Sequence, residues 1–184
     1  MSPAGLLRDL NALGLLAVGS VLATALLLQL VTGELPCPLC MLQRLGFVAL
    51  GFGLLLNARF GPAPMHYGLV LIGALFGAAA AGRQVLLHIL PGSGAYGDPL
   101  LGLHLYTWSL LLFLLAIAGV ALLLLMEGQF ERGRDTPPNA LQRAAIAVYL
   151  LATLLTGLAA FAQCGPGECA DDPTGYWLLE GRGL

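Results

Sequence analysis

Residues 13–31 read LGLLAVGSVLATALLLQLV, an apolar run that carries no charged residue. An α-helix rises about 1.5 Å per residue, so roughly 20 apolar residues cross the ~30 Å hydrocarbon core of a bilayer. Four further stretches reach or approach that length: Met41–Asn57, Tyr67–Leu90, Leu105–Met126 and Ala144–Gln163. Breaks at Thr32–Pro38, Phe60–Pro64, Pro91–Pro99 and Gly128–Pro138 hold the Gly and Pro that punctuate turns. Composition agrees, since 58% of the 184 residues are hydrophobic and only 10% are charged. An ordinary soluble domain carries about 25% charged residues, so this chain could not wet its surface as a globule. The pattern predicts an all-α membrane protein of five transmembrane helices in a lipid bilayer. Net charge is −2 and every basic residue is Arg. Those Arg lie scattered among apolar runs, which excludes a basic nucleic-acid-binding face.

Arg8 followed by a long apolar run looks at first like a signal peptide. The run exceeds the ~7–15 residues of a signal h-region and no A-x-A-like site closes it, so it reads as a retained helix. If the five spans alternate, Arg8, Arg59, Arg132, Arg134 and Arg143 share one side. The other side holds Glu34, Asp98, Glu168, Asp171, Asp172 and Glu180, with Arg182 its only clear basic loop residue. The positive-inside rule then puts the N-terminus in the cytoplasm and the C-terminus outside. Both cysteine pairs, Cys37/Cys40 and Cys164/Cys169, land on the non-cytoplasmic side. In bacteria that side is the periplasm, where disulfides persist.

Cys37-Pro38-Leu39-Cys40 is a Cys-X-X-Cys at the start of the second span. Its short spacer permits reversible disulfide closure, and such motifs often hold one thiol as a stabilised thiolate. The expected thiolate is Cys40. It sits near a helix N-terminus, and Arg44 follows four residues on, on the same helix face. A static bridge would have no need of Arg44, and half a zinc site would need more ligands. Redox chemistry therefore leads. Arg44 and Arg83 are ionisable groups inside the ends of membrane helices, which makes each a functional candidate. Snorkelling to the interface is the plain alternative, evenly weighted for Arg83. His88 and His104 bracket the third loop on the cysteine side and can serve as hydrogen-bonding or proton-transferring groups, or as satisfied interfacial residues. Tyr106 and Trp108 read as aromatic-belt anchors.

Cys164-Gly-Pro-Gly-Glu-Cys169 follows the fifth span, and its turn residues can bring the two thiols into bridging range. Glu168, Asp171 and Asp172 disfavour a thiolate at Cys169. A tail thiol attacking the first pair would displace Cys40 as the better leaving group, because a low-pKa thiol leaves faster. Five residues of extended chain reach at most ~17 Å, against ~8–10 Å between packed helices, so the two pairs can meet. A structural disulfide pinning the tail is the competing reading.

The run Cys37-Pro-Leu-Cys-Met-Leu-Gln-Arg44, entering a membrane helix after a first span, resembles the signature of the DsbB disulfide-bond formation proteins. The resemblance continues through Gly82-Arg-Gln-Val-Leu-Leu-His88 and Leu101-Gly-Leu-His-Leu-Tyr-Thr-Trp108, covering roughly residues 10–126. It implies a four-helix membrane bundle in the bacterial inner membrane that oxidises a periplasmic DsbA-like thiol oxidoreductase and reduces a quinone, ubiquinone or menaquinone. By position, Cys40 would be the quinone-facing sulfur and Cys37 would exchange with the second pair. Arg44 would help hold the quinone, with Arg83 and His88 near the pocket. The resemblance divides the chain into a four-helix domain, 1–126, and an addition, 127–184, of loop, fifth helix and tail.

The departure from the family pattern is large. Its typical members carry the second pair between the third and fourth spans, whereas Pro91–Thr107 here contains no Cys. The expectation is that Cys164 and Cys169, delivered to the same side by the fifth helix, take over as the shuttle pair. Competing readings are a quinone reductase similar to the vitamin K epoxide reductases, whose active pair belongs late in the bundle, and a non-catalytic membrane protein with two structural disulfides. A four-Cys metal site has little weight, because the two pairs differ in charge.

Overall fold

The computed structural model describes residues 3–90, 92, 94–126, 130, 137–171 and 173–179, without the side chains of residues 3 and 4. Of the charged residues that entered the orientation argument, Arg132, Arg134, Asp172, Glu180 and Arg182 lie outside the described residues. Among the described residues five helices follow in order: α1 Pro3–Thr32, α2 Pro38–Phe60, α3 Pro64–Leu87, α4 Leu105–Leu124 and α5 Ala140–Cys164. All five are long and apolar enough to cross a membrane, and the chain is a multi-pass membrane protein.

Four helices, α1, α2, α3 and α5, begin earlier than their apolar runs, and local chemistry explains three of them. α1 reaches back to Pro3 because its polar first turns find partners. Buried Arg8 donates through Nη2 to the carbonyls of Ala58 (3.2 Å) and Arg59 (3.1 Å), satisfying the open C-terminal end of α2. Asn11 donates to Tyr67 Oη at 3.0 Å and accepts from Asn57 Nδ2 at 2.9 Å. α5 begins at Ala140 behind a capping box: Asn139 Oδ1 accepts from the Gln142 N–H, while Gln142 Oε1 accepts from the Asn139 N–H. Both amides also donate to Asp9 Oδ1, at 2.8 and 2.7 Å, which pins the start of α5 to the start of α1. α2 starts at Pro38, where proline costs no helix hydrogen bond and its fixed φ suits the first turn.

In the bundle α2 is central. It packs on α1 and α3, α4 lies against α3, and α5 lies against α1 while also touching α2. Small residues set the closest approach, as in membrane bundles generally. A Cβ at Gly73 would stand 2.4 Å from the Leu50 nitrogen, and one at Gly46 would stand 2.6 Å from the Gly77 Cα. Phe113 of α4 closes the layer, fully buried and stacked on Phe47 at 4.2 Å. The fifth helix is seated rather than loosely appended. Tyr149 fits where Gly51 leaves space, lies beside Gly19, and donates its hydroxyl to the Val48 carbonyl at 2.6 Å. Arg8, Arg59 and the start of α5 thus share one end of the bundle, and the four cysteines occupy the other.

Candidate functional site: two cysteine pairs beside a membrane cavity

Because the helix begins at Pro38, its N-cap is Cys37. Cys37 Sγ accepts the Cys40 N–H at 3.2 Å, so the unpaired donors of the first turn point at this sulfur. The thiol of Cys37 is drawn down to about 6, first by a hydrogen bond from the Cys40 side chain. Burial opposes that effect, and the backbone N–H groups of Cys40 and Leu39 and the Gln84 amide add to it. The sequence reading set the helix N-terminus under Cys40; the geometry gives it to Cys37. Both cysteines are free thiols.

Gln84 of α3, fully buried, faces the pair from across the bundle. Its Nε2 lies 3.5 Å from Cys37 Sγ and 3.7 Å from Cys40 Sγ. Its Oε1 accepts from Gln43 Nε2 at 2.6 Å and lies 3.9 Å from Cys40 Sγ. Sequence reasoning included Gln84 only as part of the Gly82–His88 stretch and gave it no role. An uncharged amide inside an apolar helix, which must find a partner there, was the available signal.

Cys40, but not Cys37, lines a cavity of about 470 Å³. Its facing walls come from α1 (Ser20 to Thr32) and α4 (Leu105 to Leu112), with Gln43, Arg44 and Phe47 of α2 between them. α1 and α4 border this space instead of packing on each other. The Arg44 guanidinium is held at the wall, Nη1 donating to Gln29 Oε1 at 2.7 Å and Nη2 to the Ala25 carbonyl at 3.1 Å. Cys40 and Arg44 line the same cavity. The loop between α3 and α4 covers the outer end: Tyr96 donates its hydroxyl to the Leu35 carbonyl, and Trp108 Nε1 donates to the Leu100 carbonyl at 2.9 Å.

The other expected pocket residues lie farther out. Arg83 is on the exposed side of α3 and does not line the cavity, the position that snorkelling describes. His88 does not line it either. Its ring stacks on Tyr106 at 5.3 Å, its Nδ1 meets the Gln84 carbonyl at 2.8 Å, and Tyr106 stacks in turn on His104. Tyr106 and Trp108, read as belt residues, both border the cavity.

The second pair is closed: Cys164 and Cys169 form a disulfide with their Cα atoms 4.7 Å apart. The end of α5 that leads into it is tied to the segment before the first pair. Gln163, immediately before Cys164, donates through Nε2 to the carbonyl of Pro36, immediately before Cys37, at 2.8 Å. The tail then folds back over the end of α5. The Trp177 N–H donates to the Gln163 carbonyl at 3.1 Å and the Leu178 N–H to the Ala162 carbonyl at 3.2 Å. The Trp177 indole covers Gly165, which has φ +64° and no room for a side chain.

The sequence model of the family described as Disulfide bond formation protein DsbB matches residues 7–97, from α1 to the loop after α3. Among curated relatives, Disulfide bond formation protein B of Nitrosomonas eutropha is 37% identical over 89 residues, 46% of this chain and 55% of that protein. Its counterpart in Marinobacter nauticus is 45% identical over 88 residues, 46% and 52% of the two chains. Disulfide bond formation protein B 1 of Pseudomonas aeruginosa is 39% identical over 88 residues, 46% and 54%. The chain spans about half the length of the curated relatives it matches. No solved structure matches it. The matched region carries Cys37, Cys40, Arg44 and Gln84 and stops well short of Cys164 and Cys169, and over that region the chain is similar to the DsbB family.

Proposed function

We propose that the protein is a membrane thiol oxidase that carries electrons from a periplasmic DsbA-like thiol protein, through Cys164/Cys169 and then Cys37/Cys40, to a quinone. The observation that carries this reading is the Gln163–Pro36 hydrogen bond, which ties the residue before the tail disulfide to the residue before the Cys-X-X-Cys, while Cys40 lines the cavity. Arg-rich ends face the cytoplasm and the cysteine end faces the periplasm, following the positive-inside rule.

The cavity fits a quinone head. It has apolar walls for a lipid-soluble molecule, a guanidinium for an oxygen that gains charge, and a thiol in the lining. A bound quinone supplies the terminal acceptor, taking two electrons and two protons. The remaining chemistry belongs to the chain. A donor thiolate attacks the Cys164–Cys169 disulfide, and the donor's second thiolate resolves the mixed disulfide, leaving the donor oxidised and the tail a dithiol. A tail thiolate then attacks Cys37 in a closed Cys37–Cys40 bond and releases Cys40 as thiolate beside Arg44. The second tail thiol displaces Cys37, closing the tail again. Cys37 and Cys40 are left reduced, with two electrons and two protons to pass on. Gln84 faces both sulfurs with its amide and helps to position them.

Alkylation tests the reading. Under mild dithiol both pairs should open and take label, and added quinone should close them again; a structural tail disulfide would stay closed. Labelling of reduced Cys37 should follow a midpoint near pH 6, thiolate above and thiol below, instead of the ordinary ~8.5. In Cys40→Ala, which removes the main hydrogen bond, that midpoint should rise. An unshifted midpoint in the wild type would contradict the cap geometry.

A further inference from the structure

The tail does more than carry a disulfide. Gln29 of α1 is buried and its amide is used at both ends: Oε1 accepts from Arg44 Nη1 at 2.7 Å and Nε2 donates to Tyr176 Oη at 3.1 Å. Arginine has donors only, so only the amide oxygen can face it. That leaves the amide nitrogen pointing outward, where it needs an acceptor, and the Tyr176 hydroxyl is that acceptor. Remove it and a buried N–H loses its partner, a costly state that rotation of the amide relieves. The rotation would turn N–H groups toward the guanidinium and release Arg44 from that side.

We propose that Tyr176 is a positioning residue for the cavity, fixing the Gln29 amide so that Arg44 presents its guanidinium at the wall beside Cys40. Tyr176 belongs to the same tail segment that Trp177 and Leu178 hydrogen-bond to the end of α5, and it stands seven positions after Cys169. Docking of the tail therefore brings the second cysteine pair to the first and completes the cavity wall in one step. Undocking would loosen Arg44. This inference rests on the proposal that the cavity holds a quinone.

The test is equilibrium binding of a short-chain ubiquinone to the detergent-purified full chain, measured without a thiol donor. Tyr176→Phe keeps the ring and its packing, so a packing role would leave affinity unchanged; loss of the hydroxyl should weaken binding about tenfold. In a Gln29→Glu background the side chain offers Arg44 an oxygen at either end, and Tyr176→Phe should then have no effect. An equal loss in both backgrounds would overturn the coupling, because the tyrosine would then act elsewhere. Arg44→Ala separates the two levels. If Arg44→Ala weakens binding and Tyr176→Phe does not, the inference fails and the quinone reading stands. If Arg44→Ala binds as tightly as wild type, the quinone reading itself fails, and the inference with it.

Discussion

Cys40→Ser should abolish quinone reduction, a fall on the order of 10³ or more, as when a covalent nucleophile is removed from other enzymes. Cys40 is the sulfur that lines the cavity and stands beside Arg44, whereas Cys37 is buried behind it as the helix cap. A serine keeps the size and a hydroxyl donor, so the N-terminal turn of α2 and the contact with Gln84 survive. What is lost is the sulfur that can leave from a disulfide and carry a pair of electrons to the cavity. The measurement is loss of quinone absorbance with a small dithiol as donor, which bypasses the tail. Turnover at more than a few per cent of wild type would remove Cys40 from its role. Cys37→Ser should retain a single thiol at the cavity and fail at a different step, accumulating no disulfide with the tail.

Cys164→Ser/Cys169→Ser should split the reaction by donor. With a reduced periplasmic thiol protein, oxidation of the donor should fall about a hundredfold or more, since the proposed entry pair is gone. With a small dithiol that reaches Cys37 directly, the rate should stay within about a factor of two. The fold is expected to survive the double change, because the tail is also held by the Gln163–Pro36 bond and the hydrogen bonds of Trp177 and Leu178 to the end of α5. Gel-shift of the donor thiols after alkylation reads both arms. Equal loss with both donors would make the bridge a structural pin, and no loss with either would send the protein donor straight to Cys37.

The spans were legible because hydropathy and helix length are both local quantities. Their ends were less so. Hydropathy alone placed the start of α5 at Ala144, four residues late, since the capping box of Asn139 and Gln142 is polar and so reads as loop. α1 was cut short for the same reason: Arg8, Asp9 and Asn11 look like flanking residues until α2, α3 and α5 supply their partners. One small shift had chemical consequences. Starting α2 at Pro38 rather than Met41 moves the cap from the neighbourhood of Cys40 to Cys37, and with it the donors that favour a thiolate.

At the site, Cys37, Cys40 and Arg44 drew attention in the sequence because they lie within about two helical turns of one another. Gln84 and Gln29 did not, since their meaning depends on residues 44 and 15 positions away. The role of the fifth helix was readable in topology alone, as the element that returns Cys164 and Cys169 to the side of the first pair. Its seat, Tyr149 against Gly51 and Gly19, required the packed bundle.

The most direct test of the account is quinone absorbance against time for the purified wild-type protein mixed with a reduced periplasmic thiol protein and ubiquinone or menaquinone. One quinone should be reduced for each disulfide formed in the donor, with turnover continuing until one of them is exhausted. Donor thiols that remain reduced while the quinone absorbance stays constant would contradict it.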